Sequence, residues 1–200
     1  MSLFLGIDFG TTGVRSSIID KNKKELINFS VSIDSPISKG SLVYQNPSLW
    51  WSALIKNLTF LKTKIELNKI ERLSIDGTSG TVLITDHLGN PLDDALMYND
   101  ASAVKESKLV ESISDNHPIV STSTNALVRA LSLINKLKKE KYRILHQADW
   151  IACKIIDDYM YSDENNALKL GYDCIERSWP KWFDQLPIEM NSLPNIKIPG

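Results

Sequence analysis

Apolar and polar residues alternate along the first third of the chain at the short period of strands. FLGIDFG, residues 4–10, is apolar up to Asp8 and reads as a buried strand. GVRSSIID (13–20) follows with mixed alternation, KNKK (21–24) is a polar turn, and ELINFSVSID (25–34) is a third strand. Short connections join the three, which predicts an antiparallel meander. SPISKGSLVYQNP (35–47) is rich in Ser, Pro and Gly and reads as loop. The period then lengthens. Asn46 suits an N-cap and Pro47 the first helical position. Trp51, Leu54, Ile55, Leu58, Leu61 and Ile65 recur at helical spacing, which predicts a helix with one buried face. IERLSIDG (70–77) is the next strand. Strands are thus expected near 3–9, 13–20, 24–33 and 71–76.

TVLITDHLGNPL (81–92) reads as strand, turn and strand, and ALMYND (95–100) as a short strand ending in polar groups. Helices are expected in ASAVKESKLVESI (101–113), NALVRALSLINKLKK (125–139) and ADWIACKII (148–156). The second has the clearest stripe: Leu127, Leu131, Ile134 and Leu137. From Ser178 on, four prolines and little periodicity leave the tail unassigned. Strands with one helix, then helices, indicate an α/β or α+β fold.

The chain has 200 residues and a formal charge of −1, enough for one domain with a real core or for part of a larger one. Near-zero charge argues against electrostatic binding to nucleic acid or to an acidic membrane. The basic run KLKKEKYR (136–143) reads as a solvated helix end. The two cysteines, Cys153 and Cys174, have no zinc-type or C-x-x-C spacing and read as reduced thiols. No apolar run approaches the ~20 residues of a membrane span, so a soluble, cytoplasmic protein is expected. His87, His117 and His146 form no metal pattern. Trp50, Trp51 and Trp150 read as core anchors rather than a stacking platform for bases.

The candidate chemistry lies in LGIDFGTTG (5–13). Glycines let backbone N–H groups converge on a phosphate, and threonine hydroxyls add donors. A carboxylate so close would repel a bare phosphate and calls for a cation between them, with Mg2+ the natural one. The stretch is neither a Walker loop nor a dinucleotide fingerprint.

Gly6 to Val14 resembles the first phosphate motif of the actin, hexokinase and Hsp70 superfamily. Residues 75–100, IDGTSGTVLITDHLGNPLDDALMYND, resemble the FGGY family of carbohydrate kinases, where a small-residue loop precedes a hairpin with a D-x-x-G-x-P-L turn. ADWIACKI is similar to that family's A-D-Y-L-x-x-x-L helix, and SDENNALKLGYD (162–173) to its S-D-x-x-N-A segment. IDGTSGT with MYND looks most like the ribulose-kinase-like branch known from cyanobacteria and plants.

The resemblance implies a ribonuclease-H-like (actin-like ATPase) α/β lobe, with a mixed sheet flanked by helices. It implies that Asp8 holds Mg2+ and the transferring phosphate, and that Gly10, Thr11 and Thr12 cradle phosphate with Arg15 beside them. Asp8 and Thr11 are then catalytic, and Ser79, Asn99 and Asp100 contact the sugar. ATP and Mg2+ are the implied cofactors. The loop lacks the Arg-Glu pair of glycerol kinases and the His of typical xylulose kinases, so a ketopentose is expected, D-ribulose before D-xylulose. Asp76 shares the context of Asp8, and the two read as separate strand exits rather than two phosphate sites. Asp163, Asn165 and Asn166 are expected to serve structure.

The family's proton-accepting aspartate lies beyond a P-G segment like IKIPG, so the general base is expected beyond Gly200. Residues 1–200 then form an N-terminal kinase domain cut before its end, without the C-terminal lobe, inactive alone and prone to self-association. Two alternatives are an Hsp70-like or actin-like nucleotide switch and a catalytically silent sugar-binding fragment.

Overall fold

A computed structural model describes residues 2–114, 117, 120, 122–137 and 141–199. The chain divides into two compact units, Met1–Pro36 with Asn46–Thr78, and Ile37–Gln45 with Ser79–Gly200.

The first unit is built on the predicted meander. Strands β1 (Leu3–Phe9), β2 (Gly13–Asp20) and β3 (Glu25–Ser32) pair antiparallel in sequence order. Leu3, Leu5, Ile7, Phe9, Val14 and Ile18 are all buried on one face, as period-2 alternation dictates. Helix α1 (Pro47–Lys62) packs over β2 and β3. Asn46 caps it by accepting from Ser48 N–H at 2.8 Å, as expected. The buried stripe is turned from the expected one, running through Trp50, Ala53, Leu54, Asn57 and Leu61, while Ile55 is exposed. Asn57 explains the rotation. This buried amide accepts from Ser16 Oγ at 3.0 Å and donates to Val14 O and Ala53 O, so it locks the helix to β2 through polar contacts that apolar periodicity does not register. After α1 the chain returns as a strand parallel to β1.

The segment 35–47, read as loop, holds two strands of the second unit: β4 (Ile37–Lys39) and β5 (Leu42–Gln45). They form a hairpin about Gly40 and Ser41, with Gly40 at φ +63°. The strand predicted at 70–77 is β6 (Ile70–Gly77), which pairs parallel with β1 and makes the first sheet mixed, in the order β3-β2-β1-β6.

The second sheet has the order β4-β5-β8-β7-β9, with β7 at Val82–Thr85, β8 at Ala95–Leu96 and β9 at Arg143–His146. The predicted strand 95–100 shortens because Met97–Asp100 turns, with Asp100 N–H donating to Met97 O. β9 falls within and after the basic run read as a helix end; Tyr142 there is buried, and residues 138–140 lie outside the described residues. Helices α2 (Val104–Ile113) and α4 (Gln147–Ile156) match the expected segments, while α3 (Ala126–Ile134) stops short of the expected 125–139: Asn135 caps it, and Leu137 lies beyond its end. α3 packs on β7 through a core that includes Leu127, Leu131, Val82 and Ile84. SDENNALKLGYD contains a strand, β10 (Tyr161–Asp163), and a short helix, α5 (Glu164–Leu170). Asp163 caps α5 by accepting from Asn166 N–H, in the structural role expected. The tail supplies β11 (Asn195–Lys197), which pairs parallel with β10.

Trp50 and Trp150 are fully buried. Both cysteines are free, and burial pushes the Cys153 thiol up to about 11, which keeps it protonated at neutral pH. Among the described residues no helix is long and apolar enough to cross a membrane.

The D-x-x-G turn is organised by Asp86, whose carboxylate accepts from the N–H groups of Leu88 and Asn90 and from the Asn90 side chain. Gly89, at φ +77°, accepts the Trp150 indole N–H, and a Cβ there would stand 2.0 Å from the Tyr159 ring. Gly89→Ala is therefore expected to destabilise the protein by about 3 kcal/mol, from left-handed backbone strain plus overpacking. Gly40→Ala, also at positive φ but with open space around it, should cost about 1 kcal/mol. Urea unfolding of the pair measures the difference; equal costs would show that the Tyr159 contact is slack.

Candidate active site

The stretch LGIDFGTTG forms the end of β1 and the tight turn into β2. Gly10 N–H donates to Gly13 O at 2.9 Å, leaving Thr11 and Thr12 at the tip of a two-residue turn. The glycines suit the close approach of the backbone: a Cβ on Gly13 would meet Val31 O at 3.2 Å, and one on Gly10 would meet Gly13 O at 3.3 Å, both tight contacts. Thr12 O accepts from Ile33 N–H, which ties the turn to the end of β3. The tip is therefore held by backbone, while Thr12 stays exposed and Thr11 partly so.

Asp8 points to the face of the sheet opposite α1 and is exposed, as expected for the root of a phosphate turn. Arg15 is its antiparallel partner and Asp76 its parallel partner. The Arg15 Nε lies 3.8 Å from Asp8 Oδ2, a loose ion pair between exposed groups. Asp8, Arg15, Ser17, Asn28, Ser74 and Asp76 line an open cleft of about 280 Å3. Its donor set is a pair of carboxylates, an arginine and small hydroxyls. The carboxylates are hard oxygen donors open to solvent, and they fit Mg2+, which keeps most of its waters when one or two carboxylates hold it.

Asp76 is the residue that sequence reasoning undervalued. IDF and IDG, read as two strand exits rather than two phosphate sites, are aligned by the parallel ladder: Ile7 with Ile75, Asp8 with Asp76, Phe9 with Gly77. Thr78 Oγ1 then donates to Phe9 O and binds the two exits together. The repeated I-D-small pattern was the available signal.

Ser79, Asn99 and Asp100 belong to the second unit, and Asp8, Thr11, Thr12 and Arg15 to the first. Ser79 and Asn99 are exposed. Asp100 is not: it is fully buried, and its carboxylate accepts from Val43 N–H at 2.7 Å, from Ser102 N–H at 3.1 Å and from Ser102 Oγ. The expectation that Asp100 faces the sugar is corrected accordingly. Its lone pairs are consumed in fixing the loop that presents Asn99.

The loop has a second anchor that the sequence reading passed over. Arg129, in the apolar middle of α3, is 1% exposed. Its guanidinium donates to Gly80 O at 2.7 Å, Tyr98 O at 2.9 Å, Asp100 O at 3.2 Å and Thr124 O. Burial pulls its pKa down to about 10, with the Asp100 charge working in the opposite direction. It stays protonated at neutral pH. Gly80 sits at φ +82°, and a Cβ there would stand 3.2 Å from the guanidinium. Arg129 thus gathers the loops carrying Ser79 and Asn99 onto one helix. A lone cation among Leu127, Val128, Ala130 and Leu131 was the overlooked clue.

The remaining family-like segments also meet. Asp149 of ADWIACKI accepts from Ser162 Oγ at 2.6 Å and from Asn166 Nδ2 at 2.8 Å, both from SDENNALKLGYD.

The family model described as the FGGY family of carbohydrate kinases, N-terminal domain, matches residues 3–198. A xylulose kinase of Staphylococcus xylosus is 22% identical over 98% of this chain and 43% of its own. A glycerol kinase of Mycoplasma genitalium is 22% identical over 96% and 42%. Among solved structures, xylulose kinase from Rhodospirillum rubrum superposes with a TM-score of 0.85 at 17% identity, covering 98% of this chain and 43% of that one. Plasmodium falciparum glycerol kinase with ADP gives 0.83 at 20% identity, with coverage of 98% and 43%. These likenesses show the actin-like ATPase fold. The chain spans less than half the length of these relatives.

Arg129→Met leaves four loop carbonyls without their donor and is expected to lower stability by about 3 kcal/mol or more. Arg129→Lys, which keeps the charge but loses the fork, should cost less. Urea unfolding followed by tryptophan fluorescence measures both; wild-type stability in Arg129→Met would remove the guanidinium from this account.

Proposed function

The chain belongs to the FGGY family of carbohydrate kinases, and we propose that it supplies the phosphate- and sugar-binding N-terminal part of an ATP-dependent kinase acting on a ketopentose. Membership in this family sets aside a chaperone-like or actin-like switch. The observation that carries the reading is the exposed Asp8 at the root of a backbone-locked Gly-Thr-Thr-Gly turn.

Phosphoryl transfer is governed by positioning and charge neutralisation more than by covalent chemistry. In this reading Asp8, with Asp76 beside it, holds Mg2+. When bound, the ion supplies positive charge against the phosphate oxygens. Thr11 and Thr12 direct hydroxyls, and the turn its backbone, toward phosphate, while Gly10 and Gly13 keep the turn narrow. Arg15 draws the Asp8 carboxylate to one side of the cleft and adds a cation for phosphate. On the sugar side, Ser79 and Asn99 offer the donors and acceptors that polyol hydroxyls require. Asp100 and Arg129 hold those two residues in place from below.

The small side chains of Thr78, Ser79 and Gly80 favour a ketopentose, with D-ribulose ahead of D-xylulose. The acceptor of the sugar proton is expected outside residues 1–200. The free cysteines suit a reducing, cytoplasmic setting.

The test uses the longest native product of the gene and follows ADP release with D-ribulose, D-xylulose and glycerol. D-ribulose should be preferred; a clear preference for glycerol would overturn the substrate assignment. Asp8→Ala should lose more than about a hundredfold in turnover, equivalent to roughly 3–4 kcal/mol in the barrier, and Thr11→Ala less. Undiminished turnover in Asp8→Ala would remove Asp8 from the mechanism.

A further inference from the structure

We draw no further inference here: the strongest candidate, the open apolar pocket of about 320 Å3 in the second unit between Ile134 at the end of α3, Tyr142 and residues 186–189, is an unpartnered face, and nothing in the structure shows what covers it.

Discussion

The parallel ladder between β1 and β6 is the constraint from which the candidate phosphate site follows. It joins residues 3–9 to residues 70–77 in register, across a meander and a helix. Closing so long a connection costs little more than closing a short one, because the entropy grows only logarithmically with length. What repays it is the burial of Leu5, Ile7 and Phe9 in a sheet whose α1 side is apolar. On the opposite side the same register sets Gly6 beside Ser74 and Asp8 beside Asp76. Two carboxylates are thereby held side by side at the ends of two strands. Hydrophobic burial on one face positions the charges on the other, since a one-residue slip would exchange the faces.

The second unit relies on buried polar groups. Arg129 and Asp100 are both inside, yet they do not form a simple ion pair. The cation binds loop carbonyls, and the carboxylate binds Val43 N–H of β5 and the N–H and hydroxyl of Ser102. Each satisfies backbone that would otherwise be orphaned in the core. Asp149 does the same between α4, β10 and α5. This makes the loops bearing Ser79 and Asn99 specific in shape rather than merely compact. It also explains why segments far apart in the chain carry family-like patterns: their polar residues complete one another's hydrogen bonds.

Much of the fold was legible because it rests on local chemistry. The meander follows from alternation and short polar turns, the start of α1 from Asn46 and Pro47, and the phosphate turn from glycines flanking two threonines. The misreadings share a cause. The hairpin at 37–45 looked like loop because Ser, Pro and Gly dominate it, and its strands exist through pairing with β8. β9, β10 and β11 are three or four residues long, too short for a period to show.

The sequence by itself determined the elements whose signals repeat every two or four residues, the tight turns that glycine favours, and the family resemblance in its spaced motifs. Tertiary structure alone decided which polar residues face solvent and which are spent inside. Asp8 lies near the end of β1 and Asp100 shortly after β8, yet one is open to the cleft and the other is sealed by Val43 N–H and Ser102. A carboxylate's role depends on the donors that reach it. One donor to the Asp100 carboxylate, Val43 N–H, lies 57 positions away, a distance over which no local pattern carries information.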